Sequence, residues 1–264
     1  MKVEDKILTI LEPSIELDTL EIIDIESGTA NSDGVEAQLK PSKIYSAITL
    51  VRINQYDVQQ DRIDLVKIKN TGFYPTIKII FDDRDGLFQA RHFPKDGDII
   101  QTYIRSQGKE DTFKPIRIDF TVTNIRSVSG GDTLKVNKFI VEGRMFVPDL
   151  FTEKNQFFTG SSFDNLLNIA EELKLGFASN VDSTNDAMTW INPNDTVHKY
   201  IKDIIQNSYL DDDHFFVAYI DPYYYLNFVN VNSLFNQEGD IEITKGFNQN
   251  AGDYYSQTDG EGGD

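Results

Sequence analysis

The clearest hydrophobic pattern in the chain follows Ser161 and has the period of an α-helix. Apolar residues recur at steps of three and four positions, at Phe163, Leu166, Leu167, Ala170 and Leu173. The Ser161 hydroxyl can accept a hydrogen bond from the amide of Asp164, and the Asp164 carboxylate can return one. Gly176 can adopt the left-handed conformation that ends a helix. The pattern therefore predicts a capped helix whose apolar side faces a core.

A second helical pattern begins within residues 192–196 and ends near Asn207. Its apolar positions lie on one side, at Val197, Tyr200, Ile201, Ile204 and Ile205. The capping residue stays open, because Asn192 followed by Pro193 is a sound cap, and so is Asn194 or Asp195. The stripe predicts another helix packed on a core.

The segment after this helix has the pattern of a β-hairpin. An acidic turn at residues 211–213 is followed by an apolar run at 215–220, a turn at 221–222 and a second run at 224–231. Asp and Pro favour turns, and aromatic and β-branched residues favour strands. The order of elements predicted here is helix, helix, hairpin.

Three tyrosines follow the predicted turn and are our candidate subunit-interface residues. Because successive residues of a strand point to opposite faces, Tyr223, Tyr224 and Tyr225 cannot all lie in one core. One interpretation is a packed hairpin with a hydroxyl at the surface. The alternatives are a subunit contact or a platform on which a sugar ring stacks. Trp190 lies between apolar neighbours and is predicted to be in the core.

Upstream, from residue 44, the chain has the alternation and turn spacing of β-strands. The predicted strands are Ile44 to Ile53, Ile63 to Lys69, Thr76 to Phe81, Ile99 to Ile104, and a run with Ile116, Ile118, Phe120 and Val122 on one face. This spacing is typical of barrels and sandwiches. At Asn137 and Lys138 the parity of the apolar positions changes, which predicts a β-bulge of the kind that bends a strand in a small barrel.

We expect an α+β protein that is mainly antiparallel β, with a tube-like small β-barrel or sandwich followed by a helix-helix-hairpin unit. Residues 1–40 would form an N-terminal arm or opening hairpin, 41–147 the barrel domain and 148–235 the helix-helix-hairpin domain. Residues 236–264 are polar and rich in glycine, so a flexible tail or linker is expected there.

The segment order resembles the baseplate central hub proteins of contractile-tailed bacteriophages. The likeness lies in "TGSSFDNLLNIAEELKLGF", "MTWINPNDTVHKYIKDII" and "HFFVAYIDPYYYLNFVNV", with "FPKDGDIIQTYI" and "KFIVEGRMFVPDLF" upstream, and covers roughly residues 90–235. These proteins are related to late control protein D and to the spike-base proteins of type VI secretion. Hubs of this family usually carry a second barrel-like domain, for which 264 residues are too few. The chain would then be a front portion of a hub, or its later domain would be minimal.

Composition narrows the chemistry. The net charge of −18, from 43 acidic and 25 basic residues, argues against nucleic-acid binding, because such binding needs basic side chains to displace phosphate counterions. It is consistent with simple solubility or with an acidic passage that repels DNA. The absence of cysteine excludes disulfides and thiolate chemistry. The three histidines, His92, His198 and His214, lack metal-binding spacing. No apolar run is long enough to span a bilayer.

No catalytic, cofactor-binding or metal-binding constellation is found, so we expect a protein that is not an enzyme and uses no cofactor. Residues 82–86, Asp-Asp-Arg-Asp-Gly, fail the register of a calcium loop because Phe81 stands where an oxygen donor is needed. Gly130 and Gly131 lack the Lys-Ser/Thr of a phosphate loop. A carboxylate pair for glycoside cleavage could hide among so many acids.

The resemblance implies a structural hub subunit in the tail baseplate of a virion, made in the host cytoplasm. It would form a homotrimer that joins the tail tube protein to the central spike protein, with possible baseplate wedge contacts, no membrane anchor, and DNA only as passing cargo. Such a hub adapts six-fold to three-fold symmetry, and neighbours complete unpaired edge strands. The alternatives are a carbohydrate-binding or host-attachment β-module, and a tail-associated glycan hydrolase.

Overall fold

The computed structural model describes residues 7–17, 47–54, 56–106, 115–129 and 137–235. Within these ranges the chain forms thirteen strands and four helices. The strands are β1 Leu8–Leu11, β2 Ala47–Ile53, β3 Tyr56–Val58, β4 Ile63–Lys69, β5 Thr76–Asp83, β6 Ile99–Ser106, β7 Ile116–Ser129, β8 Asn137–Met145, β9 Glu153–Gly160, β10 Gly176–Ser179, β11 Met188–Thr196, β12 Phe216–Ile220 and β13 Tyr225–Asn230. The helices are α1 Leu87–Ala90, α2 Ser162–Glu172, α3 Val197–Asn207 and α4 Val231–Phe235. The fold is α+β and mainly antiparallel, as predicted.

Seven strands form one antiparallel sheet in the order β3-β2-β6-β7-β8-β5-β4. The two end strands follow one another in the chain, with only the 3₁₀ turn Gln60–Arg62 and its flanks between them. The few residues from Val58 to Ile63 span at most about 17 Å. Because so short a connection joins opposite ends of the sheet, the sheet must curl into a half-barrel.

The inside of the curled sheet is filled by side chains. The inward residues of its strands are fully buried and include Ile79, Phe81, Ile100, Phe120 and Phe139. Phe81 and Phe139 stack with ring centroids 5.5 Å apart. The half-barrel therefore encloses a packed core rather than a pore of its own.

The predicted bulge at Asn137 and Lys138 is wrong. Both residues pair in unbroken register with β5 on one side and β7 on the other. The irregularity lies instead in β7, where the register shifts between Val122 and Asn124. The extra residue is Thr123, and it returns Ile125 to the core side of the sheet.

A second sheet has the order β1-β10-β13-β12, and it carries the predicted hairpin. Strands β12 and β13 pair antiparallel from Phe216 opposite Asn230 to Ile220 opposite Leu226, which confirms that prediction. Strand β10 runs parallel to β13 and antiparallel to β1. Most of the predicted N-terminal arm and the whole predicted tail at 236–264 lie outside the described residues, and the domain boundaries stay predictions.

Helix α2 begins as predicted and ends differently. The Ser161 hydroxyl accepts a hydrogen bond from the Asp164 amide at 3.1 Å, and the Asp164 carboxylate accepts one from the Ser161 amide at 3.4 Å. The left-handed residue after the helix is Lys174, with φ 58°, and not Gly176. Leu175 donates to the Ala170 carbonyl at 2.8 Å, which completes a Schellman closure.

Gly176 belongs instead to β10, where its lack of a side chain allows close packing. A Cβ atom there would lie 2.9 Å from the Leu11 carbonyl oxygen and would overlap the Tyr225 ring. The glycine therefore lets β10 fit between β1 and β13. The sequence prediction failed because glycine serves close approach as well as positive φ.

Helix α3 carries the predicted apolar stripe, but none of the predicted caps is used. Thr196 is the cap, and its hydroxyl accepts from the Lys199 amide at 3.3 Å. Residues 192–195 are part of β11, whose register shifts between Pro193 and Asp195. Asn192 holds this bulge, since its side chain accepts from the Asp195 amide at 2.9 Å and donates to the Asp195 carbonyl at 3.1 Å. Asn192 thus makes a local bond of the capping type within a strand.

Candidate functional site

The three tyrosines of the hairpin lie at its turn. The Asp221 carboxylate accepts from the amides of Tyr223 at 2.8 Å and Tyr225 at 3.1 Å, so it fixes the turn. Tyr224 has φ 66° and is only 3% exposed, whereas Tyr223 and Tyr225 are half-buried. Tyr224 is thus occupied inside its own chain, and the interface role of the three tyrosines stays a prediction.

The hydroxyls of two of these tyrosines contact distant parts of the chain. Tyr224 accepts a hydrogen bond from the Asp119 amide at 3.0 Å, and burial raises its pKa well above the ordinary value. Tyr225 donates to the carboxylate of Glu12, which raises the pKa of Tyr225 to about 12. The hairpin turn is therefore tied to β7 and to the segment after β1.

Strands β9 and β11 form a separate two-stranded ribbon beside the helices. Its inner side is anchored by Trp190, which is 6% exposed and donates from Nε1 to the Gly160 carbonyl at 3.0 Å. Phe158, directly opposite Trp190, is partly buried against the same core. The burial predicted for Trp190 is confirmed.

The outer side of the ribbon exposes apolar side chains. Phe157 pairs directly with Ile191 across the two strands, and they are 76% and 65% exposed. Pro193 is also exposed and lies on the same side of β11 as Ile191, two residues further along the strand. We call the side formed by Phe157, Ile191 and Pro193 the ribbon face. Single exposed apolar side chains are common on protein surfaces. Several exposed apolar side chains next to one another are unusual and mark contact surfaces.

The ribbon face carries no charge. Residues 155–160 and 188–194 contain no acidic or basic side chain, although 26% of the chain is charged. Within the described residues each ribbon strand pairs on one side only, so its second edge is open. Open edges and an apolar face together are features that pair with another chain.

Among the described strands, the second sheet also ends in open edges, at β1 and β12. Leu8 and Ile10 of β1 are 56% and 43% exposed, and Phe215, just before β12, is 62% exposed. These edges are candidates for strand addition by a neighbour.

Acids on the outside of the curled sheet are largely paired with bases. Glu142 accepts from Asn124 at 3.0 Å and from Lys78 at 3.1 Å, and these bonds lower the pKa of Glu142. Lys138 pairs with Asp64, and this hydrogen bond raises the pKa of Lys138. These paired acids repel an anion less than free carboxylates would.

The acidic residues at 82–86 form the end of β5 and the turn that follows it. The Asp83 carboxylate is buried and accepts from the amides of Phe88 at 3.3 Å and Gln89 at 2.8 Å, at the start of α1. In the described part of the chain, no three His, Asp or Glu side chains come together as metal ligands. None of the described helices has the length and apolar character required to cross a membrane.

The sequence interpretation missed the ribbon face, although a signal was present. Phe157 and Phe158 are adjacent, and so are Trp190 and Ile191. Adjacent large apolar residues in a strand point to opposite sides, so one of each pair must leave the core. The alternation that places Tyr223, Tyr224 and Tyr225 on both faces of a strand also separates the two members of each of these pairs.

No family model matches the chain, and no curated protein matches it. Solved structures do resemble it. The 43 kDa tail protein of prophage MuSo2 from Shewanella oneidensis is 13% identical, with a TM-score of 0.49, over 69% of this chain and 53% of that protein. A tail protein from Neisseria meningitidis MC58 is 12% identical, with a TM-score of 0.42, over 70% of this chain and 50% of that one.

A third structure is the half-lidded Francisella PdpA-VgrG complex, 12% identical with a TM-score of 0.40 over 78% of this chain and 34% of that one. The chain thus spans about half the length of the two tail proteins. At these identities the likeness concerns the fold alone, and with TM-scores below 0.5 we build no argument about function on it.

Proposed function

We propose that the chain is a structural subunit of a bacteriophage tail, and more specifically of the baseplate hub. A homotrimer would join the tail tube protein to the central spike protein, with wedge contacts at its outside. The role is architectural rather than catalytic and uses no cofactor. The support comes from this chain itself: the order of its segments, which resembles hub proteins, and the ribbon face.

The observation that carries the proposal is the exposed cross-strand pair of Phe157 and Ile191. Both side chains are more than half exposed and face the same side of a ribbon whose other side buries Trp190 against the core. Covering such a pair stabilises a complex by removing apolar surface from water. A structural subunit needs a surface of this kind, and a self-sufficient monomer does not.

Charge restricts where two copies can meet. With a net charge of −18, two copies repel each other over most surfaces. The uncharged ribbon face permits contact without placing acids against acids. We therefore assign the ribbon face to a subunit contact, which neighbouring open edges would extend.

The packed half-barrel also bears on how DNA would pass. Its interior is filled by buried residues such as Phe120 and Phe139, so one copy provides a wall rather than a channel. A passage would have to lie between copies around the axis. Acidic side chains on that inner wall would keep phosphate groups from binding.

Sedimentation velocity of the purified chain tests the proposal. We expect a concentration-dependent trimer, or assembly only after a tail tube or spike protein is added. Phe157→Asp should raise the dissociation constant of assembly about thirtyfold, for a loss of about 2 kcal/mol at a central contact. Phe93→Asp is the matched control, because Phe93 is also an exposed phenylalanine but lies outside the ribbon face and the open edges.

Three outcomes would overturn the proposal. A chain that stays monomeric with every tail component contradicts a subunit role. Glycan binding by such a monomer would favour the carbohydrate-binding module instead. Cell-wall digestion that disappears when a single acid is replaced would favour the hydrolase. Locating the chain by electron microscopy in the assembled particle distinguishes the hub from other tail positions.

A further inference from the structure

A small cavity lies where the end of β8 meets the segment that follows it. Its volume is about 240 Å³, which is less than the roughly 300–1,000 Å³ of sites for drug-sized ligands. It fits a side chain or a small ion. Its lining includes Arg144, Asp149 and Phe151.

Arg144 is the only basic residue in this lining. Its guanidinium carbon lies 3.7 Å from the centroid of the Phe151 ring, which is a cation–π contact. On the adjacent strands it stands opposite Thr76 and Thr121, neither of which is charged. In the described part of the chain, the side chain of Arg144 makes no hydrogen bond or ion pair besides this ring contact.

This arrangement is unexpected in a chain where acids outnumber bases by 43 to 25. A guanidinium has five N–H donors in a planar fork and remains charged at all ordinary pH values. Stacking on Phe151 covers one flat face of the guanidinium. The N–H groups at its edge remain available to donate hydrogen bonds. The edge of a fixed guanidinium matches a carboxylate, which accepts two parallel hydrogen bonds.

The remaining lining suits the rest of an acidic side chain. Val147, Pro148 and Phe151 supply apolar surface for methylene groups, and the hydroxyl of Thr121 can supply a further donor. The Asp149 carboxylate is engaged locally, since it accepts from the Thr152 hydroxyl at 3.4 Å.

We propose that this cavity is a carboxylate-binding site in which Arg144, held flat on Phe151, receives an Asp or Glu side chain of a neighbouring protein chain. That the carboxylate comes from a neighbouring chain rests on the proposed function. That the cavity binds a carboxylate rests only on its lining residues. A DNA phosphate is disfavoured, because the lining offers a single cation and duplex binding uses several.

His198 provides a reporter beside the site. Its ring lies 5.5 Å from Phe151 and 4.9 Å from Phe73, between centroids, and its Nε2 atom is buried without a hydrogen-bond partner in the described part of the chain. Burial, followed by the positive charges of Lys202 and Arg144, lowers its pKa to about 4. His198 is therefore neutral at pH 7 and close enough to respond to changes at Arg144.

NMR titration of the full chain at pH 7 tests the site. The probes are N-acetylglutamate methylamide and, as a neutral isostere, N-acetylglutamine methylamide, at matched ionic strength. We expect the guanidinium resonances of Arg144 and the ring resonances of His198 to shift saturably with the glutamate probe. The dissociation constant should be on the order of 10 mM, as a single charge-assisted contact allows. The glutamine probe should bind at least about tenfold more weakly.

Two variants separate recognition from packing. Arg144→Met keeps an unbranched chain on Phe151, so we expect the fold to persist, the response to glutamate to vanish and the pKa of His198 to rise. Arg144→Lys keeps the charge but not the fork, so binding should weaken several-fold. His92 and His214 serve as internal controls for the absence of global change.

Several results would overturn the assignment. They are equal shifts with both probes, a response that persists in Arg144→Met, no response at saturating glutamate, or tighter binding of inorganic phosphate than of the glutamate probe. Because the titration uses an isolated chain, its outcome is independent of sedimentation. If the chain binds glutamate but never assembles, the proposed function is refuted and the carboxylate-binding site stands. If the chain assembles but does not bind glutamate, the site is refuted and the proposed function stands.

Discussion

The hydroxyl of Tyr224 accepts a hydrogen bond from the backbone amide of Asp119 at 3.0 Å, and this bond joins the hairpin to the curled sheet. The two residues are 105 positions apart in the chain. Beside this bond, the Ile220 amide donates to the Phe73 carbonyl at 2.6 Å. The two sheets are thus joined by directed polar contacts as well as by apolar packing.

Tyr224→Phe should destabilise the protein by about 1–3 kcal/mol, because the buried Asp119 amide would lose the hydroxyl that accepts its hydrogen bond. Urea unfolding followed by circular dichroism measures the change. Tyr103→Phe is the matched control, since the Tyr103 hydroxyl makes no hydrogen bond among the described residues. Equal losses of stability in the two variants would contradict a specific role for the Tyr224 hydroxyl.

Gly143→Ala should destabilise the half-barrel by about 1–3 kcal/mol through overpacking. A Cβ atom at Gly143 would lie 2.9 Å from the Thr121 carbonyl oxygen and 3.2 Å and 3.3 Å from the side chains of Ile77 and Ile100. Thermal unfolding should show a lowered midpoint. Gly72→Ala is the control, because the nearest atom there is 3.9 Å away. An unchanged midpoint in Gly143→Ala would mean that β8 and its neighbouring strands accommodate the added Cβ atom without loss of stability.

The helices and strands were predictable where the pattern is local. The stripe of α3, the capping box of α2 and the hairpin all follow from spacing and turn chemistry within about fifteen residues. The failures involve residues whose role is decided by distant partners. Gly176 is needed for approach to Leu11 and Tyr225, and Asn192 caps a bulge because β11 pairs with β9.

The misplaced bulge shows a signal that was present but not used. Ile118, Phe120 and Val122 alternate, and the next core residue is Ile125, so the parity changes at Thr123. For the candidate site, the order of segments predicted neither the exposed Phe157 nor the cavity at Arg144. Exposure depends on which side of a ribbon the helices cover, and that is a tertiary property.

Lys174→Gly should stabilise the protein by about 0.5–1 kcal/mol. Lys174 closes α2 with φ 58°, a conformation that costs a residue with a Cβ atom about 1–2 kcal/mol. Glycine removes this strain, and its greater freedom in the unfolded chain offsets part of the gain. Lys174→Ala, which keeps the strain, should lie within about 0.5 kcal/mol of the original. Equal stability of the Gly and Ala variants in urea unfolding would contradict the assigned Schellman closure.

Asp186 fastens the start of α2 to the chain after α3. Its carboxylate accepts from the Ser162 amide, the Thr184 hydroxyl and the Tyr209 amide, each at 2.8 Å. Burial, the largest single influence, raises the pKa of Asp186, but these hydrogen bonds together outweigh it and hold the pKa below its ordinary value. The ionised form is therefore the one that stabilises the fold.

Asp186→Asn should cost about 1–3 kcal/mol at pH 7, because an amide nitrogen cannot accept the bond from Tyr209. A depressed pKa contributes stability that is present above the unfolded value of about 3.9 and is lost as the pH falls through the folded value. The difference between the two proteins should therefore shrink below about pH 4. Asp182→Asn, at an exposed site, should change stability by less than about 0.5 kcal/mol. A difference for Asp186→Asn that stays constant from pH 7 to pH 3 in urea unfolding would show that the carboxylate charge does not hold this junction.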